Sequence, residues 1–343
     1  MGSVWTGRRL TRRGLLTGGA TIASALALNH ALIPSSSNPG PLSLFSALDE
    51  PESAEAAGPR RQWGLWNPGS PWEADVLASL ERNVGARPGL VHWYQSWHDR
   101  SPVSRECLAN VAAFGATPVI TWEPWDWRGG MNQPEFALAH IASGEFDAYI
   151  RSWARQLRRF GRPVMLRLAH EMNHKRYPWS VGVLGNTAAD YVAVWRKVRR
   201  IFRRHGASNV RFVWSPNVGY DGTTPFADIY PGNAHVDWIG LDGYNGGSQL
   251  DWGGWLTFSQ IFKGSYEQLV GHGKPMMVAE VGSSEHGGNK ARWISSAMNN
   301  EIPESMPAFR AVLWFNEFRE TDWRIESSAA SKRAFQRAVR NWG

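Results

Sequence analysis

The sequence predicts a single (β/α)8 barrel, and three observations predict it. From Gln62 onward, short apolar runs alternate with helical patterns, the order that gives parallel strands joined by right-handed crossovers. Eight such units fill roughly 280 residues, close to the usual barrel size of about 250. No G-x-G-x-x-G follows the first run, so a doubly wound dinucleotide-binding sheet loses its main support.

Taken in order, residues 1–35 read as an export signal. Thr11-Arg12-Arg13-Gly14-Leu15-Leu16 resembles a twin-arginine motif, and the mildly apolar run Gly14 to Leu28 follows it. That run is too short and weak for a membrane-spanning helix. Residues 36–60, rich in Ser, Pro, Ala and Glu, read as a flexible linker. The barrel domain then occupies residues 61–343. Its strands are expected at Gln62 to Trp66, Gly89 to Tyr94, Pro118 to Glu123, Val164 to Glu171, Val210 to Pro216, Val236 to Tyr244, Lys274 to Gly282 and Phe309 to Asn316. Helices are expected at Glu73 to Asn83, Arg105 to Phe114, Phe146 to Phe160, Ala188 to His205, Phe258 to Gly271, Lys290 to Asn299 and Ala329 to Val339. Only the segment after the fifth strand, near Thr223 to Tyr230, carries a weak helical pattern.

Composition narrows the function. The chain has 343 residues and a formal charge of +7, and the first 59 residues contribute none of it, because four arginines there balance four acids. Much of the excess sits at Arg196, Lys197, Arg199, Arg200, Arg203 and Arg204 on one predicted helix. A solvated helix face explains it, and contact with an anionic cell envelope is the sharper alternative. Nucleic acid is not expected as a partner, since no binding motif accompanies the charge. With Cys107 alone, no intrachain disulfide can form. The 20 tryptophans are a large excess, and indole faces stack on sugar rings as well as filling cores.

The chemistry concentrates in Val164 to Trp179. His170-Glu171-Met172-Asn173-His174 is a literal H-E-x-x-H, which on a helix would bind zinc and activate water as in metallopeptidases. Yet the residues before it read as a strand, and Pro178 prevents a long helix after it. The competing reading places Glu171 at the carboxyl end of strand four, where barrel active sites gather. Glu280 closes strand seven in the same way, after Met276-Met277-Val278-Ala279. Acids that follow buried runs need partners or a use. Two carboxylates across an aromatic-lined mouth suit glycoside hydrolysis, and opposite placement on strands four and seven implies a separation of about 5 to 5.5 Å, the retaining distance. On that reading the acid needs a raised pKa and the nucleophile a charge held by hydrogen bonds.

Arg167-Leu-Ala-His-Glu-Met-Asn173 with Tyr177-Pro-Trp179, Val213-Trp-Ser-Pro-Asn217, Asp237 to Asn245, Ala279-Glu-Val-Gly282 and Val312 to Asn316 together resemble glycoside hydrolase family 26. The resemblance runs from about Gln62 to the C-terminus. It implies a retaining endo-glycanase on a (β/α)8 barrel, acting first on β-1,4-mannan or glucomannan and alternatively on mixed-linkage β-glucan or xylan. It implies Glu171 as acid/base, Glu280 as nucleophile and Tyr244 as the nucleophile's hydrogen-bond partner. His170 would contact the sugar next to the scissile bond, Arg167 would brace the acids, and Trp314 would be that sugar's stacking floor. Trp179, Asp242, Glu123 and Trp122 would line subsites. Where many relatives have glycine after His-Glu-Met-Asn, this chain has His174-Lys175-Arg176. No metal or organic cofactor is implied, because two carboxylates and water suffice. The expected partner is a polysaccharide, the expected state a monomer, and the expected location outside the cell or at its envelope. A zinc peptidase and a carbohydrate-binding barrel without catalysis remain the alternatives from other classes.

Overall fold

The structure, a computed structural model, describes residues 61–342. The expected signal segment and linker lie outside the described residues. Within them, eight parallel strands close in sequence order into a barrel. They are β1 Gln62–Trp66, β2 Leu90–Ser96, β3 Thr117–Glu123, β4 Val164–Leu168, β5 Val210–Trp214, β6 Trp238–Asn245, β7 Met276–Ser283 and β8 Phe309–Phe315.

Side-chain alternation sorts each strand into two faces. Leu90, Val119, Met165, Val213, Met277 and Leu313 meet inside the barrel, while their neighbours Val91, Ile120, Leu166, Phe212, Val278 and Val312 pack outward under the helices. One step further along the inward face come His92 on β2, Thr121 on β3 and Arg167 on β4, and one more step brings Tyr94 and Glu123. The interior therefore changes from apolar floor to polar mouth within four residues. Gly64 is needed where β1 and β2 meet, since a Cβ there would lie 2.3 Å from the Leu90 carbonyl oxygen.

The helices fall close to their expected places, at Ala74–Val84, Arg105–Phe114, Asp147–Phe160, Ala188–Arg204, Phe258–Leu269, Lys290–Ser296 and Ala329–Arg340. Ala188–Arg204 starts at a reciprocal cap between Thr187 and Asp190. Its basic face is partly consumed at home: Lys197 pairs with Asp147 and Arg199 with Asp237, each at 2.8 Å, and Arg196 donates to the Pro231 carbonyl. The weak segment after β5 forms one turn, Phe226–Ile229, confined by Pro225 and Pro231.

One strand departs from expectation in a way that matters. Strand four was expected to run to Glu171, but β4 stops at Leu168. Beyond it Ala169 (φ 44°) and Glu171 (φ 52°) both take the left-handed conformation. For residues with a Cβ this costs about 1–3 kcal/mol each, and such strain persists only where surrounding bonds hold it. Here the Ala169 amide donates to the Trp122 carbonyl and the Glu171 amide to the Ser215 carbonyl. The chain end is thus tied to β3 on one side and to the β5 exit on the other, and Glu171 is turned over the barrel mouth.

Candidate active site

Arg167 is the hub of the mouth. Its inward place on β4 leaves it fully buried, with its guanidinium donating to Glu280 Oε1 (2.7 Å), Thr121 Oγ1 (3.0 Å) and Asp242 Oδ2. Asp242 also accepts from Ser215 Oγ at 3.1 Å. Gly240 makes room for that serine, since a Cβ at 240 would sit 2.6 Å from Ser215 Oγ. One cation serves two buried carboxylates, so they cannot profit equally. Burial pushes Asp242 up against the pull of Arg167, with the Glu280 charge adding to the push. Replacing Arg167 by methionine leaves both acids buried without a counter-charge, and we expect a loss of about 3–5 kcal/mol in denaturant unfolding.

Glu280 reaches Arg167 through an irregularity in β7. Leu241 pairs with Val278 and Asp242 with Glu280, so Ala279 has no partner across the sheet. Ala279 and Glu280 consequently both turn inward, which strict alternation forbids. Glu280 Oε2 then accepts from the Tyr244 hydroxyl at 2.7 Å. Burial and the Glu280 charge hold the Tyr244 phenol well above its ordinary range, so it stays a neutral donor. For Glu280 itself burial pushes upward, but Arg167, then His170, overcome it and hold the carboxyl at about 2. A carboxylate with these partners stays ionised at neutral pH. Loss of Arg167 leaves burial less opposed, so the Arg167→Met variant should also show its acid limb of kcat/KM displaced to higher pH.

The surroundings of Glu171 differ from expectation. Oε1 accepts from Asn217 Nδ2 at 2.8 Å, and Oε2 lies 2.9 Å from His174 Nε2. Asn217 is locked in turn by Asn173, which accepts from its amide and donates to its carbonyl. Burial pushes the Glu171 carboxyl up, yet His174, then His170 and Asn217, hold it well below the ordinary range. The raised value expected of an acid is therefore absent from the resting site, and the cause is the buried histidine beside it. The zinc reading fails on the same residues. No helix passes through His170 and His174, and the Glu171 carboxylate is bonded to one of the would-be ligands. Among the described residues no group of three or more His, Cys, Asp or Glu is arranged to hold a metal ion.

The other expected residues divide into two sets. His170 is buried at the mouth, its ring 4.9 Å from that of Tyr177 and 6.1 Å from that of Tyr94, with Nδ1 3.9 Å from Glu123 Oε1. Glu123 accepts from Trp125 Nε1 at 3.0 Å. These two join Arg167, Asp242, Tyr244 and Glu280 in one polar cluster. Trp122 and Trp314 do not. Each occupies the outward phase of its strand: Trp122 stacks on Trp153 at 4.4 Å, and Trp314 packs against Phe335 beneath the helix layer. Trp179 lies behind the mouth, fully buried and stacked on Tyr177, with its indole N–H donated to the His170 carbonyl. It orients the chain that carries His170 and does not line a subsite.

Three residues without a role in the glycosidase reading of the sequence belong to the site. Asn217 and His174 hold the Glu171 carboxylate, as above. Trp323 packs its ring 5.0 Å from Tyr244, and its carbonyl accepts from Trp314 Nε1, so the indole expected as a floor supports another indole beside Tyr244. Lys290 fixes the same loop by donating to the carbonyls of Asp322 and Arg324. Nothing in strand periodicity marks Trp323. Above this cluster, all seven exposed large apolar side chains among the described residues sit on loops that leave the carboxyl ends of strands: Trp72, Trp127, Met131, Tyr220, Trp252, Leu256 and Phe318. Exposed apolar surface gathered on one face marks a binding surface.

Comparison with known proteins decides the family. The profile of Glycosyl hydrolase family 26 matches residues 107–338. The chain belongs to that family. Endoglucanase H of Acetivibrio thermocellus is 36% identical to this family 26 chain over 280 residues, covering 80% of the chain and 30% of that protein. A mannan endo-1,4-beta-mannosidase of Bacillus subtilis is 30% identical over 169 residues, or 47% of the chain and 41% of that protein. The chain thus spans less than half the length of either curated relative. A family 26 beta-mannanase from Bacteroides ovatus shares the fold with a TM-score of 0.59 at 19% identity, over 82% of this chain and 88% of that one.

Proposed function

We propose that this family 26 barrel is a retaining endo-glycoside hydrolase that cleaves β-linked polysaccharide, first of all β-1,4-mannan or glucomannan, by double displacement. The observation that carries the reading is two buried acids at one mouth, each bonded at both oxygens but by different partners. Glu280 is bonded from both sides by Arg167 and Tyr244, and Glu171 is near enough to oppose its ionisation electrostatically. In this reading Glu280 attacks the anomeric carbon while Glu171 protonates the leaving oxygen, and water then releases the sugar from Glu280 with Glu171 as base. Tyr244 and Arg167 keep the nucleophile charged and aimed. His170 and Glu123, beside each other at the mouth, contact the sugar next to the scissile bond. Asp242 acts through Arg167.

Mixed-linkage β-glucan is the second reading. It is favoured by one observation, that a relative matched over 80% of the chain is named an endoglucanase. The aromatic rim offers stacking surfaces to either backbone. Intact polysaccharides do not cross a cell envelope, which supports export through the Arg12-Arg13 signal and action outside the cell. The test is reducing-end release from galactomannan, glucomannan, mixed-linkage β-glucan and xylan in parallel. Release from mannans above the others is the expected result. Release from mixed-linkage glucan alone would transfer the assignment to the second reading, and no release from any of them would overturn both.

A further inference from the structure

We infer that His174 stores the proton that Glu171 delivers to the leaving oxygen, acting as a positioning residue through the carboxylate and not on the substrate. The inference rests on the acid/base role proposed for Glu171.

The geometry is that of a relay closed at its far end. His174 is buried, 4% exposed, and its Nε2 lies 2.9 Å from Glu171 Oε2. Its other nitrogen, Nδ1, lies 3.4 Å from the Tyr220 hydroxyl. A phenol both donates and accepts, so it satisfies Nδ1 when the ring is charged and when it is neutral. The ring therefore gives up a proton at Nε2 without stranding a buried nitrogen at Nδ1. Tyr220 remains a neutral phenol, since burial pushes it up more than Arg176 pulls it down. Asn217 occupies Oε1 with an N–H that cannot titrate, which leaves Oε2 as the oxygen that exchanges the proton. The groups facing the pair are His170 and Arg176 from the same loop, Tyr220 and Asn217 from the loop after β5, Asp242 and Tyr244 from β6 and Glu280 from β7.

The proton count closes. In this proposal the resting pair holds one exchangeable proton in the contact between Nε2 and Oε2. As the glycosidic C–O bond breaks and the bond from the anomeric carbon to Glu280 forms, that proton moves from Nε2 to Oε2 and on to the leaving oxygen. In the second half, water adds to the anomeric carbon, the bond to Glu280 breaks, and the proton of the water returns to Glu171 and His174. Two groups sharing one proton always retain it to a higher pH than either would with its partner uncharged. The histidine thus extends the alkaline range over which the acid is loaded, although it keeps the carboxylate itself ionised at rest.

The test compares the full-length wild type with His174→Gln, which keeps an N–H donor beside Oε2 but carries no proton, and with His174→Leu, which keeps neither. The pH profile of kcat/KM is measured on the polymer that the wild type cleaves best and on a dinitrophenyl β-glycoside, whose leaving group needs no proton. We expect the alkaline limb on the polymer to move down by about one pH unit or more in both variants, a loss of roughly tenfold at a pH above both limbs. The loss on the aryl glycoside should be smaller. Coincident alkaline limbs in all three proteins would overturn the inference, and so would full restoration of the limb by glutamine, because a hydrogen-bond donor would then be enough. Imidazole nitrogen NMR of wild-type His174 gives an independent readout: a charged ring that turns neutral together with the alkaline limb is expected, and a ring that stays neutral throughout would contradict the role. A wild type that cleaves no glycan would instead sink the catalytic reading itself.

Discussion

Replacing Glu280 by alanine should abolish polysaccharide cleavage while leaving the barrel folded. On the proposed mechanism this carboxylate forms the covalent bond, and we expect kcat to fall by roughly 10⁵-fold or more, the scale seen when a covalent nucleophile is deleted. The fold should survive because Arg167 keeps Asp242 as counter-ion, so removal of one acid leaves a neutral buried pair and not a stranded charge. Azide is small enough to enter the space vacated by the side chain and attack from the face that Glu280 occupied. With an aryl glycoside, the variant should then yield a glycosyl azide of inverted anomeric configuration, read by chromatography and NMR. Undiminished cleavage by the variant would remove Glu280 from the mechanism.

The second large effect concerns Glu171. On the proposed mechanism its replacement by alanine removes the acid from the first step and the base from the second, and loss of general acid–base catalysis costs about 10²–10⁴-fold. The loss should depend on the leaving group. On polymer, whose leaving sugar must be protonated, kcat/KM should fall across that range. With a dinitrophenyl glycoside the first step proceeds without the acid, and the second becomes slow, so stopped-flow should show a burst of dinitrophenolate equal to the enzyme concentration. Equal losses on both substrates, without a burst, would assign Glu171 a structural role.

Much of this was legible in the chain, and the reasons are specific. The eight strands announced themselves because barrel strands are buried on both faces and read as apolar runs, and seven helices followed from their 3.6-residue period. Glu280 and Glu171 stood out as acids after such runs. Which indoles reach the mouth was not legible from strand ends alone. Trp122 lies between Thr121 and Glu123, and Trp314 between Leu313 and Phe315, and strict alternation applied to their neighbours would have turned both outward. Glu280 escapes that rule only through the slip at Ala279, which no residue type in the run signals. The end of β4 was hidden for a similar reason, because the left-handed turns at Ala169 and Glu171 occur without glycine and are held by bonds to β3 and to the exit of β5. Of the carboxylate partners, His174 lies only three residues beyond Glu171 in the same loop, whereas Asn217 arrives from the loop after β5, so its meeting with Glu171 is a property of the closed barrel and not of local spacing.

The central claim is that Glu280 forms a covalent bond to the sugar, and the most direct measurement is intact-mass and peptide mapping after treatment with a 2-deoxy-2-fluoro β-glycoside bearing a good leaving group. The fluorine slows both steps and the leaving group rescues only the first, so the glycosyl-enzyme should accumulate. The account predicts one added glycosyl mass, carried by the peptide that contains Glu280 and absent from Glu280→Ala. A label on Asp242 or Glu171, or a wild type that hydrolyses its polymer while no label ever forms and the product emerges with inverted configuration, would contradict it.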